Sequence, residues 1–455
     1  MTDSPGRAAQ VVKAYDIRGV VPDELDERAA HTLGAAFADL TGADRIVLAR
    51  DMRATSPALA RAFADGATGR GADVLDAGLG STDYLYYASG SLGLPGAMFT
   101  ASHNPARYNG IKLCRAGAVP VGEGTGLEVL RAALAGELPA PAPAARRGTR
   151  TSTDLLAGYA AHLAALVPPA AGRPLKVVVD AGNGMAGLTA PLVLDRPGLA
   201  VVPLYFELDG TFPHHEADPM KPANTADLRA RVVAEGADLG LAFDGDADRC
   251  FVVDEHGRGI GPSQVIGLIA ERALARHPGQ AVVHNLITSR AVPELVAARG
   301  GKPVRSRVGH SFVKALMAEH QAVFGGEHSG HYYFRDFWYA DTGMLAALHV
   351  LAALAEQDRP LSQLMARYAL YATAEETSVR VQDPAAALAA AERAFAGPGT
   401  ETDRLDGLTV TRADGSWFNL RASNTEPVLR VNAESADAAA TTRLRDEVLA
   451  LLEQQ

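Results

Sequence analysis

The sequence predicts an α/β protein: three similar mixed α/β domains and a smaller C-terminal α+β domain around a central cleft. Three observations predict it. Short apolar runs alternate with helical segments in the order that builds largely parallel sheets. One such unit recurs three times, and each copy ends in a polar motif delivered by an apolar run. After about residue 371 the pattern changes to hairpin-linked strands and a closing helix.

The first copy reads strand over 46–49, loop Arg50-Asp51-Met52-Arg53, helix over 56–70 and strand over 72–75. Ala97-Met98-Phe99 then delivers Thr100-Ala101-Ser102-His103-Asn104-Pro105. The second reads strand over 177–179, a glycine-rich loop over 180–187, a short helix and a strand over 199–206. A later strand over 239–243 delivers Asp244-Gly245-Asp246-Ala247-Asp248-Arg249. The third reads strand over 281–283, helix over 289–298 and strand over 302–304, and Ala322-Val323-Phe324 delivers Gly326-Glu327-His328-Ser329-Gly330-His331. A Pro/Ala stretch over 138–147 reads as a surface connection between the first two copies. The last segment has strands over 378–381, 408–411, 417–420 and 428–432, helices over 385–395 and 436–452, and the hairpin signal Asp414-Gly415. The expected domains are therefore 1–150 with the serine loop, 151–256 with the acidic loop, 257–370 with the Gly326 loop, and 371–455 as the α+β unit.

A chain of 455 residues is too long for one ordinary core. Hydrophobic residues at 47% and charged residues at 21% describe a globular protein. The net charge of −10 argues against a surface that coats nucleic acid, while leaving room for a local basic pocket that takes a small anion. The two cysteines, Cys114 and Cys250, lie in apolar contexts and suggest neither a disulfide framework nor a metal cage. No export signal and no run of membrane-spanning length is legible, so the expectation is a soluble, cytoplasmic protein with no membrane partner. Its oligomeric state stays open, a monomer included.

The motifs carry the chemistry. A serine at the carboxyl end of a strand sits where open α/β sheets place their active groups, and it is a nucleophile if something activates it. A plain turn is the alternative. Asp244, Asp246 and Asp248 cannot stay close and ionised without a cation, and oxygen ligands on a short loop suit Mg²⁺. The same spacing plus Glu255 fits a Ca²⁺ EF-hand, except that Arg249 stands where that loop needs glycine and strands rather than helices flank it. Gly182-Asn183-Gly184-Met185-Ala186-Gly187 fits a dinucleotide fingerprint with Glu207 as its acid, but the turn of the repeat explains the glycines as well. Glu327, Ser329 and His331 offer the mixed donors and acceptors that sugar hydroxyls need. His328 and His331 alone make a poor zinc set. Arg421-Ala422-Ser423-Asn424-Thr425-Glu426-Pro427 makes a nest for a phosphate that is held and not transferred. Lys13-Ala14-Tyr15-Asp16-Ile17-Arg18-Gly19 is a second cationic cluster, Lys112 is one of only six lysines, and His310 marks an inner loop of the third copy.

Together these five motifs, in this order along essentially the whole chain, resemble the α-D-phosphohexomutase superfamily, and most closely its bacterial phosphomannomutase/phosphoglucomutase branch. The resemblance implies four domains around a central cleft. It implies that Ser102 is phosphorylated and that its phosphate, with Asp244, Asp246 and Asp248, holds Mg²⁺. It implies that Glu327 and Ser329 grip sugar hydroxyls and that Arg421, Ser423, Asn424 and Thr425 bind phosphate. Tyr15, Arg18, His103, Lys112, Arg249, His310 and His331 match other active-site positions. The implied reaction moves a phosphoryl group between O1 and O6 of a hexose through a hexose 1,6-bisphosphate, with mannose phosphates first and glucose or glucosamine phosphates next. Lys112 or His103 is the expected handler of the hydroxyl proton. A metal-dependent phosphatase and a dinucleotide-dependent oxidoreductase are the readings from other classes. The chain departs from the pattern at Asn285-Leu286-Ile287-Thr288, where many relatives carry a lysine.

Overall fold

The structure is a computed structural model and describes residues 9–138, 144–169, 172–422 and 428–453. Three of its four sheets share one topology. In the first, the order is Ile17–Val20, Tyr108–Arg115, Gly96–Phe99, Arg45–Arg50, Asp73–Leu79, Arg150–Ser152, with Val119–Pro120 beside Tyr108–Arg115. The second runs Gly259–Ile260, Cys250–Asp254, Leu239–Phe243, Leu175–Asp180, Leu199–Leu204. The third runs Lys302–Ser306, Ala281–Asn285, Phe324–Gly326, Tyr332–Phe334, Ala340–Asp341. Each has a parallel core of three strands, extended in the first sheet by Arg150–Ser152, and its third strand in chain order turns back into an antiparallel neighbour. The three polar motifs all occupy that same turn.

This corrects the expectation of largely parallel sheets. The motif loops reverse the chain instead of leading into helices, so each sheet acquires an antiparallel side. Two expected domain limits shift as well. Arg150–Ser152 pairs with Asp73–Leu79, and Gly259–Ile260 pairs with Cys250–Asp254, so both stay with the sheet before them. Ala322 and Val323 precede their strand, which is Phe324–Gly326. In the expected connection over 138–147, residues 139–143 lie outside the described residues.

Helices that the repeat did not announce position the loops. Thr82–Leu92 begins with Ser81 as its cap, the serine oxygen accepting from Tyr84 N. Gly343–Ala355 is apolar all round and buried along nearly its whole length, as a helix must be when it is enclosed by other elements. A continuous apolar core runs through all three sheets, from Tyr84 and Leu85 through Tyr159 and Phe243 to Phe324 and Leu348. The fourth sheet is antiparallel and has its own core, around Phe418, Leu420, Leu429, Val431 and Val448. Among the described residues no helix is long and apolar enough to cross a membrane.

Candidate active site

The turn after Gly96–Phe99 places Ser102 in a left-handed backbone conformation, φ 50°. That conformation costs an L-residue about 1–2 kcal/mol and persists where surrounding bonds fix it. Ser102 N donates to Thr100 Oγ1 at 3.0 Å, and Ser102 Oγ donates to Asp244 Oδ2 at 2.7 Å, with His103 Nδ1 at 3.2 Å. The first and second motif loops therefore meet at the serine hydroxyl, which is nearly buried at 4% exposure.

The acidic loop is buried and only partly satisfied. Lys112 Nζ donates to Asp246 Oδ2 at 2.7 Å and to Asp248 Oδ2 at 2.5 Å, and Thr82 Oγ1 donates to Asp246 Oδ2 at 2.6 Å. Asp246 Oδ1 and Asp248 Oδ1 have no hydrogen-bond partner among the described residues. One oxygen from each of the three aspartates lies within 4.8 Å of the others. Hard oxygens, converging charge and two orphaned buried acceptors fit a divalent cation. Burial, and beyond it the neighbouring aspartates, pushes the Asp244 carboxyl up to about 7 against the pull of Arg249. Burial also acts against ionised Asp246 and Asp248, yet Lys112 holds both below the usual carboxylate range. Burial opposes the Lys112 charge too, but the two aspartates override it and hold the ammonium protonated. Burial, with Arg249 and Arg18 nearby, drives His103 well below the usual imidazole range, so it is neutral.

Arg249 Nε donates to Asp244 Oδ2 at 2.9 Å, while its Nη2 is buried without a partner. Its backbone bridges to His331, whose Nε2 lies 3.7 Å from Asp248 Oδ1 and whose Nδ1 meets Ser329 Oγ at 2.8 Å. Arg18 Nη1 donates to Asn104 Oδ1 at 2.6 Å and leaves Nε unpartnered. Glu327 stands apart from the aspartates and accepts from Tyr333 OH at 2.5 Å, Gly309 N at 2.9 Å and Asn285 Nδ2 at 3.3 Å. Tyr15 reaches across from the first domain, its hydroxyl donating to Val308 O at 3.2 Å and its ring edge-on to His310 at 5.7 Å. Burial, with Lys314 adding to it, lowers His310 to about 4. Arg421 lies 3.8 Å from Glu376 and keeps Nε unpartnered, and Ser423, Asn424 and Thr425 lie outside the described residues.

Sequence reasoning missed several groups that hold these in place. Arg53 and Asp51 brace the serine loop, Thr82 braces the acidic loop, and Asp83 beside it accepts from Thr342. Lys314 and Asp341 form a buried pair at 2.6 Å, with Lys314 Nζ 4.0 Å from the Tyr86 ring centroid. The scarcity of lysine was the one available signal for Lys314. The departing segment puts Leu286 and Ile287 against Trp417 of the fourth domain, an apolar junction where the pattern led one to expect a cation.

The competing motif readings fail on geometry. A Cβ on Gly184, the glycine that would let the backbone approach a pyrophosphate, would lie 2.7 Å from Gly245 O, so the acidic loop fills that space. The glycines serve the turn and its close packing. Glu255 accepts from Ser362 at the far end of its strand, away from the three aspartates, and the flanking strands Leu239–Phe243 and Cys250–Asp254 form a hairpin. Both observations exclude the EF-hand.

Comparisons with known proteins agree with this geometry. Family models described as phosphoglucomutase/phosphomannomutase match in four pieces: α/β/α domain I at 9–138, domain II at 157–258, domain III at 261–371 and the C-terminal domain at 376–451. A phosphomannomutase of Salmonella montevideo is 42% identical over 97% of this chain and 98% of its own length. A Xanthomonas campestris protein named phosphohexose mutases is 41% identical over 97% of this chain and 98% of its own length. A solved phosphoglucomutase/phosphomannomutase family protein from Burkholderia thailandensis superposes with a TM-score of 0.87 at 34% identity, covering 98% of this chain and 97% of that one. Four domains meeting at a serine, an acidic loop and arginines that each keep a buried guanidinium nitrogen without a hydrogen bond fit an intramolecular phosphotransferase, an isomerase. The chain belongs to the phosphoglucomutase/phosphomannomutase family.

Proposed function

We propose that this chain is a phosphomannomutase that interconverts mannose 1-phosphate and mannose 6-phosphate and also accepts glucose phosphates. The observation that carries the reading is the Ser102 Oγ bond to Asp244, which joins the nucleophile to the acidic loop beside Lys112 and Arg249. Ser102 carries the phosphoryl group. Its Oγ–P bond breaks as a sugar hydroxyl bonds to phosphorus, the hydroxyl proton leaves, and a hexose 1,6-bisphosphate forms. The sugar turns over, and its other phosphate returns to Ser102. Phosphoryl transfer of this kind depends on positioning and charge neutralisation more than on covalent help.

Asp244, Asp246 and Asp248 are the residues that would hold Mg²⁺, which supplies charge neutralisation at the transferring group. Arg249 adds its unpartnered Nη2 to the same end. Lys112 is engaged with two carboxylates and stays an ammonium, which favours His103, neutral and 3.2 Å from Ser102 Oγ, as the acceptor of the hydroxyl proton. Glu327, Ser329, His331 and His310 face the sugar. Tyr15, Arg18 and Arg421, with Ser423, Asn424 and Thr425, hold the phosphate that is not being transferred. Hexose 1,6-bisphosphate acts as activator by phosphorylating Ser102.

The test is the initial rate on mannose 1-phosphate, glucose 1-phosphate and glucosamine 1-phosphate, with Mg²⁺ and a trace of glucose 1,6-bisphosphate, while free phosphate is followed in parallel. Mannose 6-phosphate formed fastest and without free phosphate is the expected result. A faster rate on glucosamine 1-phosphate reassigns the substrate, and free phosphate as the main product replaces the mutase by a phosphatase.

A further inference from the structure

We propose that Arg53 is a positioning residue that holds Ser102 in its reactive pose; the inference rests on the reading of Ser102 as phosphoryl carrier. Arg53 lies in the loop after Arg45–Arg50, and its side chain is 1% exposed. Its guanidinium donates to four carbonyl oxygens of the serine loop: Ser102 O at 2.8 Å and Asn104 O at 2.7 Å through Nη2, Pro105 O at 2.9 Å and Tyr108 O at 3.0 Å through Nη1. The fifth donor, Nε, reaches Asp51 Oδ2 at 3.1 Å. Asp51 Oδ1 in turn accepts from Arg53 N at 3.0 Å and from Ser56 Oγ at 2.6 Å.

All five N–H groups of a rigid planar fork are thus spent on one turn and the carboxylate behind it, a pattern only arginine can satisfy. The turn needs such a clamp because Ser102 is held at φ 50°. The carbonyl of Ser102 is confined from the other side as well, since a Cβ on Gly245 of the acidic loop would lie 2.4 Å from it. With its carbonyl fixed between Arg53 and Gly245 and its amide on Thr100, Ser102 can aim Oγ only toward the aspartates. The second domain reports to the same clamp. The Phe212 ring centroid lies 5.1 Å from the guanidinium, and Gly210 lets that loop approach so closely that a Cβ there would be 2.7 Å from Arg53 Cα. Arg53 touches no part of the open cleft. It acts through the backbone of the nucleophile.

Arg53→Lys keeps the charge and loses the fork. We expect kcat to fall about 10- to 100-fold, since displacements near 1 Å cost that much in group transfer, while KM changes less than about threefold. The rate at which ³²P-labelled glucose 1,6-bisphosphate phosphorylates Ser102 should fall by the same factor. A merely structural staple would lower the active fraction and leave kcat per labelled site unchanged. A wild-type enzyme that takes no label on Ser102 overturns the underlying reading. A labelled wild type with an equally fast Arg53→Lys variant, or a variant that loses only KM, overturns the positioning role alone. If Arg53→Lys does not fold, Ser56→Ala decides: it removes one donor from Asp51 and should slow labelling about threefold, and an unchanged rate overturns the proposal.

Discussion

Ser102 combines its own hydroxyl with a left-handed backbone clamped by Arg53 and a bond to Asp244, and both partners lie far away in sequence. Ser102→Ala removes the proposed phosphoryl carrier, so turnover should fall at least about 10³-fold with the circular dichroism spectrum retained. Thr82→Val removes a donor from Asp246 Oδ2 without touching the carboxylates themselves. The Mg²⁺ concentration giving half-maximal rate should then rise about tenfold, read from initial rates across a Mg²⁺ titration. The serine and the aspartates were legible because they sit in contiguous motifs after apolar strands. Arg53 and Thr82 were not, because their bonds span 49 and 164 residues and no local spacing announces them.

At the scale of elements, the three equivalent strand-end turns explain why serine, aspartates and glutamate come from three different domains yet share one topological position. The helix Thr82–Leu92 ties them together. Its Asp83 accepts from Ser81 Oγ, from Tyr159 OH at 2.8 Å and from Thr342 Oγ1 at 2.6 Å, so one buried carboxyl ties this helix to the helix Leu156–Leu166 and to the start of Gly343–Ala355. Burial raises Asp83 from 3.8 to about 6, more than its three hydrogen bonds lower it. The folded protein therefore keeps this proton to higher pH than the unfolded chain does. The associated stability is full below the unfolded value and is lost as pH rises through about 6. Urea unfolding of wild type and Asp83→Asn should show the difference between them moving in the variant's favour by on the order of 2 kcal/mol between pH 4 and 6.5. The helices Glu27–Thr41 and Ser56–Gly69 make a second element-level point. A Cβ on Gly34 would lie 2.0 Å from Phe63 O, and one on Gly66 2.0 Å from His31 O. Gly34→Ala should lower stability by about 1–3 kcal/mol in thermal unfolding, because two backbones must separate.

Across the whole molecule, one continuous core links the first three sheets, while the fourth sheet has a core of its own. The two are joined by specific bonds. Val308 N donates to Asp406 at 3.0 Å and Arg290 N to Glu434 at 3.2 Å, with the Arg290 guanidinium 3.9 Å from the Tyr371 ring centroid. A unit held this way can close on a sugar phosphate that is presented in either orientation. Trp338 and Trp417 are the two tryptophans, and Trp417 packs at this junction against Leu286 and Ile287. In Trp338→Phe, glucose 1,6-bisphosphate should therefore shift the emission of Trp417, and a spectrum that does not move would mean the fourth domain stays in place.

By itself the sequence determined the three-fold repeat, the α+β tail, and the strand-end places of the serine loop and the acidic triplet. These are local properties: apolar periodicity sets strands and helices, and turn residues at strand ends set the motif loops. Only the tertiary structure decided that the motif loops are hairpin turns, that Lys112 is spent on two aspartates, and that His103 remains neutral. It alone placed Ile287 against Trp417 and closed Arg53 around the serine loop. Those outcomes depend on burial and on partners tens to hundreds of residues away, and neither is written in the spacing of a single chain.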